Sequence, residues 1–174
     1  MAITLRDARR GDELAVAELH VRSWQEAYRE LMPAEFLAAL DPRERAQRYE
    51  FEGGEEAPRT VVAVMLGGED AEAIAGFGTF GPSRDADAAG LGEIYALYVD
   101  PESYGGGIGR LLMAEARRRL REAGMTEAIL WVLRGNKRAQ RFYEREGWQP
   151  DGASRLEQPY GIVSNVIRFR RPLD

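Results

Sequence analysis

Tyr104-Gly105-Gly106-Gly107-Ile108-Gly109 is the stretch whose residue types and spacing point most directly to chemistry. Such a turn leaves the backbone bare. Where it opens a helix, the amides of the first helical turn have no internal partner and can donate to an anion. The chemistry this allows is the cradling of a diphosphate; the plainer alternative is a loop that only turns the chain. Two nucleotide motifs fail on spacing. A phosphate loop would close with Gly-Lys-Ser/Thr, where this chain reads Gly109-Arg110-Leu111, and a dinucleotide fold would need glycine in place of Arg110. Further along, Asn136 and Tyr143 lie two helical turns apart and share a face. Read alone, Asn136 is a helix N-cap and Tyr143 a core aromatic.

These residues need strands and helices to position them. Ile3 to Ala8 reads as a first strand. Gly11-Asp12-Glu13 then opens a helix with Leu14, Ala17, Leu19, Val21, Trp24 and Tyr28 at helical intervals. Pro33 starts a second helical piece carrying Phe36, Leu37 and Leu40, and Asp41-Pro42 caps a third that should run to about Tyr49. Thr60 to Leu66 and Ala71 to Phe80 flank Gly67-Gly68-Glu69-Asp70, a hairpin-like turn between antiparallel strands. Pro82 to Gly90 has little to bury and is expected to be a mobile loop.

Glu93 to Val99 reads as a strand with Glu93, Tyr95, Leu97 and Val99 on one side. The glycine turn follows, then a helix with Ile108, Leu111, Leu112, Ala116, Leu120 and Ala123 along one stripe, stopped by Gly124. Ala128 to Leu133 is a buried strand, Asn136 to Glu146 a helix closed by Gly147, and Ile162 to Arg170 a last strand. Short strands alternating with amphipathic helices predict an α/β or α+β layer fold, and 174 residues fit one domain over 1–174.

Composition narrows the field further. The chain has no cysteine, which removes disulfides, thiolate zinc sites and a thiolate nucleophile. Its net charge of -5 repels a polyanion, gives no support for nucleic-acid binding and better suits a cationic partner. Charges interrupt every apolar stretch and no leader-like segment opens the chain, so the default expectation is a cytoplasmic protein off the membrane, with no metal.

The segment Glu93 to Trp148 resembles the GCN5-related N-acetyltransferase family, whose signature is a strand, a Gln/Arg-x-x-Gly-x-Gly/Ala turn, a helix, a strand and an Asn-led helix. Leu97-Tyr98-Val99-Asp100-Pro101 with Gly105-Gly106-Gly107-Ile108-Gly109-Arg110 matches the first part. Asn136-Lys137-Arg138-Ala139-Gln140-Arg141-Phe142-Tyr143 with Gly147-Trp148 matches the second. Tyr104 departs from the pattern by standing in the Gln/Arg slot.

The resemblance implies a mixed, mostly antiparallel central sheet flanked by helices on both faces, with splayed strands forming an acetyl-CoA cleft. It implies that Leu97, Tyr98 and Val99 pair with pantetheine as an added strand. Tyr104 and Gly105 through Arg110 would meet the diphosphate, and Asn136 would hold the pantetheine arm. Tyr143 would give its phenol proton to the departing thiolate. Glu93, a carboxylate on the face of Tyr95, Leu97 and Val99, is the candidate to take the proton of a primary amine directly or through a water, and an amide near Val99 the candidate to steady the oxyanion. For Glu93 a strand-end charge facing solvent or an arginine is the competing reading.

Trp24 and Tyr28 fall in the segment that resembles the acceptor-binding part, where aromatic walls can hold an ammonium. His20 receives no catalytic role, and a homodimer is expected from the family alone. The implied activity is acetyl transfer from acetyl-CoA to an amine, on a small molecule or a protein N-terminus, by direct attack through a tetrahedral intermediate. The alternative is a non-catalytic acyl-CoA-binding module on the same fold.

Overall fold

The computed structural model describes residues 2–54, 57–67 and 72–174. β1 (Ile3–Asp7), β2 (Arg59–Leu66), β3 (Glu72–Pro82), β4 (Gly92–Val99), β5 (Glu127–Leu133), β6 (Gln149–Glu157) and β7 (Ser164–Pro172) form one seven-stranded sheet in the order β1-β2-β3-β4-β5-β7-β6. Neighbours are antiparallel except β4 and β5, which run parallel. The expected β2–β3 pairing is present; residues 68–70 of its turn lie outside the described residues.

Alternation along β2 supplies both faces of the sheet. Val61 and Ala63 join a core with α4 (Ile108–Glu122) and with Trp148 beyond α5 (Lys137–Arg145). Val62 and Val64 join a second core with Val16 and Leu19 of α1 (Glu13–Ala27). The short helices α2 (Ala34–Ala38) and α3 (Pro42–Ala46) follow α1. α4 approaches the sheet closely because β3 carries glycine beneath it: a Cβ at Gly76 would sit 2.9 Å from Ile108 and 3.0 Å from Leu112. Among the described residues no helix is long and apolar enough to cross a membrane.

Several local expectations are corrected. Leu14 and Leu111 are each 45% exposed, and the buried stripes run instead through Val16 and Met113. α3 stops at Ala46 because the amides of Arg48 and Tyr49 bond three residues back, tightening the chain out of the helix. β6 has no counterpart among the strands read from the sequence. Its residues QPDGASRLE are mostly exposed and show no apolar alternation, and it exists by pairing with β7 at the sheet edge.

The 82–90 segment is tied down rather than loose. Asp85 accepts from the Trp131 indole at 2.9 Å and pairs with Arg155 at 2.9 Å and Arg168 at 3.1 Å, while Arg168, itself buried, also holds Asp87 at 2.8 Å and Asp151 at 2.6 Å. Ala88 within it is buried. The segment's charges find partners on β5, β6 and β7 that are remote in sequence.

Candidate active site

The sheet opens at its middle. β4 and β5 pair only at Gly92↔Ala128, Glu93↔Ile129 and Ile94↔Leu130, after which the two strands diverge. On the other side of β4 the register passes from Phe80↔Ile94 to Thr79↔Ala96, so Tyr95 is an extra, bulged residue. The bulge breaks the strand's alternation, which corrects the expected common face of Glu93, Tyr95, Leu97 and Val99. Ile94, Leu97 and Val99 contact the α4 core, whereas Ala96 and Tyr98 contact the α1 core.

Asp100 donates its amide to Ala75 on the β3 side at 2.8 Å, so strand alternation turns the peptide groups of Leu97 and Val99 toward the open edge. Ser23 of α1 donates to the Val99 carbonyl at 3.0 Å. The result is a cleft of ≈ 860 Å³ between β4 and β5, walled by the start of α4, by α5 and by the end of α1.

The glycine turn closes one end. Gly107 is the N-cap of α4 at φ 79, a conformation that costs a side-chain-bearing residue dearly, and its carbonyl accepts the first helical bond from Leu111 at 3.1 Å. The amides of Ile108, Gly109 and Arg110 are therefore without intrahelical partners at the positive end of the helix dipole. Gly105, Gly107, Ile108, Gly109 and Arg110 line the cleft. Gly106 does not; its amide turns back to the Ser103 carbonyl at 3.4 Å.

Tyr104 offers its ring more than its hydroxyl, because the Arg138 guanidinium stacks 3.5 Å from the ring centre. The sequence carries no local signal that marks Arg138. It also lines the cleft, and it stands two residues after Asn136 on the first turn of α5. Asn136 accepts the Ala139 amide at 3.1 Å through Oδ1, which leaves its Nδ2 donor available.

Three phenols meet deeper in. Tyr143 is partly open to the cleft, and burial, with the nearby Tyr98 phenol, raises its pKa well above the ordinary phenol value. Burial first and then Tyr98 push Tyr28 the same way. Trp24 meets Tyr28 edge to face at 5.2 Å, so both aromatics expected at the acceptor segment do line the cleft.

Glu93 is buried in the cleft wall but not alone. It accepts the Arg84 amide at 2.9 Å and the Arg84 guanidinium at 3.0 Å. The expected glutamate is thus already ion-paired, through a residue of the 82–90 segment whose approach the sequence did not reveal.

A bare helix N-terminus, an unpaired strand edge and a spare amide donor in one cleft fit a long, phosphate-bearing acyl carrier. The acetyltransferase (GNAT) family model matches residues 15–148, and the chain belongs to that family. It is an acetyl-CoA-dependent N-acetyltransferase, with acetyl-CoA as acetyl donor.

Over 134 residues the chain is 29% identical to the uncharacterized N-acetyltransferase YuaI of Bacillus subtilis, covering 77% of this chain and 73% of that one. It is 41% identical over 63 residues to the mycothiol acetyltransferase of Kocuria rhizophila, a match covering 36% of this chain and 21% of the relative. Among solved structures, the PaiA N-acetyltransferase of Thermoplasma acidophilum in complex with coenzyme A shares the fold. Its TM-score is 0.69 at 20% identity, over 97% of this chain and 98% of that one. The ribosomal-protein-S18-alanine N-acetyltransferase of Escherichia coli does so at TM-score 0.67 and 18% identity, over 99% and 95%.

Proposed function

We propose that the chain works as one catalytic domain in which the cleft holds acetyl-CoA along β4 and delivers its acetyl group to a primary amine entering past α1. The observation that carries this reading is the continuity of the cleft: one cavity is lined by the glycine turn, Arg138, Asn136, the Leu97 to Val99 edge and Tyr143.

The amides of Ile108, Gly109 and Arg110 bind the diphosphate. Arg138, stacked on Tyr104, supplies the positive charge that position 104 itself lacks. The Leu97 and Val99 peptide groups pair with the pantetheine arm, and the Asn136 Nδ2 donates to it. Acetyl-CoA supplies an activated thioester carbonyl to the amine nitrogen. Tyr143 keeps its proton to high pH and gives it to the thiolate as the carbon–sulfur bond breaks. An amide at Val99 steadies the oxygen that becomes negative. Glu93 takes the amine proton through a water, since Arg84 already occupies its carboxylate.

The same ion pair favours a second role for Glu93, as the clamp that holds Arg84 and the 82–90 segment against the cleft. Glu93→Gln separates the two: loss of the acidic limb of the pH–rate profile supports the base, and an unchanged profile with lower thermal stability supports the clamp. The reading as a whole is tested by single-turnover release of coenzyme A thiol with a panel of amines, which a non-catalytic binding module would not produce.

A further inference from the structure

Beside the cleft, between α1, α2, α3 and the β6–β7 connection, lies a side pocket of ≈ 160 Å³. His20, Trp24 and Arg45 line both cavities, so they form the wall through which the two communicate. Two arginines here share one acceptor. Arg45 and Arg48 both donate to the hydroxyl of Tyr160, Arg48 at 2.9 Å, and Arg45 also reaches Tyr49 at 3.4 Å. Their partners are neutral phenols. Among the described residues neither guanidinium has a carboxylate partner, although Arg45 is only partly exposed. A partly buried cation ordinarily has a counter-charge.

Two more nitrogens belong to the residues of this wall. The Trp24 indole nitrogen is buried and has no acceptor among the described residues. His20 is 4% exposed; its Nδ1 lies 2.6 Å from the Tyr49 hydroxyl, and among the described residues its Nε2 has no partner. The Tyr49 oxygen already faces the Arg45 Nε, and the acceptor within reach of its own proton is His20 Nδ1. With Tyr49 accepting from Arg45 and donating to His20 Nδ1, the His20 proton is assigned to Nε2, a second buried donor without an acceptor among the described residues. Burial and the neighbouring Arg45 keep the ring neutral, with a pKa well below the usual imidazole value.

Asp41 and Glu44 also line the pocket, but Asp41 accepts the Arg43 amide, Glu44 is exposed, and among the described residues neither forms an ion pair with Arg45 or Arg48. Tyr160, the residue that gathers the two arginines, sits at φ 56, a left-handed conformation that costs a tyrosine on the order of 1–3 kcal/mol. Its ring packs on Phe36 at 5.7 Å and on Arg48 at 4.8 Å.

We propose that this wall is an oxyanion subsite, and that the acceptor is an amine carrying a carboxylate or phosphonate group. Arg45, the Trp24 indole N–H and the His20 Nε2–H receive the oxyanion, and the amine is thereby directed along the Trp24 to Tyr28 wall toward Tyr143. The inference rests on the transferase reading above and narrows its substrate class. The overall charge of -5 does not oppose it, because the donors are local and partly desolvated.

The test is acetylation of matched acceptors by the full chain: an α-amino acid, its uncharged amide, and the aminoalkylphosphonate of the same skeleton. The acids should exceed the amide in kcat/KM by about 10- to 100-fold, the worth of hydrogen bonds to a charged group. Preference for one acid over the other tells carboxylate from phosphonate. In Arg45→Gln, and less severely in Trp24→Phe, the acid-to-amide ratio should collapse through KM. Thiol release with equal use of acid and amide, or a ratio that survives Arg45→Gln, overturns the subsite and leaves the transferase reading standing. Absence of release in every arm counts against the transferase reading instead. The subsite is then decided by calorimetric titration of the N-acetylated amino acid and its N-acetylated amide into the coenzyme A-loaded protein, where equal affinities overturn it.

Discussion

Arg138→Gln is the change expected to weaken acetyl-CoA binding most without touching the helix N-terminus that cradles it. The guanidinium stands in the cleft on the Tyr104 ring, 3.5 Å from its centre, and the ring fixes where the charge points. A hydrogen bond to a charged phosphate contributes about 1.5–3 kcal/mol, so removing it should raise the dissociation constant by roughly 10- to 100-fold. Tyr104→Phe preserves the stack and should change affinity by less than about threefold. Tyr104→Ala removes the platform; a cation–π contact of about 0.5–2 kcal/mol then sets a loss of roughly 2- to 30-fold, lying between the other two.

The assay is calorimetric titration of coenzyme A at two ionic strengths. The wild type should lose affinity with salt more steeply than Arg138→Gln, because the variant has one fewer charge for salt to screen. Equal affinities and equal salt slopes for wild type and Arg138→Gln would refute the argument, and abolished binding in Tyr104→Phe would make the phenol itself the phosphate ligand.

Tyr143→Phe should lower turnover by roughly 10²–10⁴ with little change in cofactor affinity, since the ring stays and only the donated proton is lost; steady-state kinetics at neutral pH check it, and equal turnover reduces Tyr143 to packing. Because the Tyr143 pKa is raised, the protonated donor persists as pH rises, so the wild-type profile should show no loss from this group between pH ~7 and ~9. Gly107→Glu should abolish coenzyme A binding, adding strain at φ 79 and negative charge at the cradle, with circular dichroism showing retained secondary structure. Gly76→Ala should destabilise the fold by about 1–3 kcal/mol in urea unfolding, because the new methyl meets Ile108 at 2.9 Å.

Local order explains why so much was legible. The glycine turn, the Asn136 cap and the stop at Gly147 are signals carried within a few residues, and each appears in the structure where its residue types require it. The strand alternation of β2 likewise needs nothing beyond its own sequence and a core on both faces. Family resemblance added the meaning of these pieces, and the cleft does bring Glu93, the Leu97 to Val99 edge, Asn136 and Tyr143 together.

Tertiary structure alone decided what depends on partners distant in the chain. β6 is a strand because β7 offers it an edge. The bulge at Tyr95 arises from register against β3 and reassigns the faces of β4. Arg84 reaches Glu93 because the 82–90 segment is anchored by Arg168 and Trp131, and Arg138 of α5 finds Tyr104 in the turn before α4. Tyr160 is more than a hundred residues from Arg45 and Arg48 in sequence, yet the three meet over one pocket. Periodicity and capping are short-range and survive in a single sequence, whereas ion pairs, stacking and register are settled only when the sheet closes and brings remote side chains within contact.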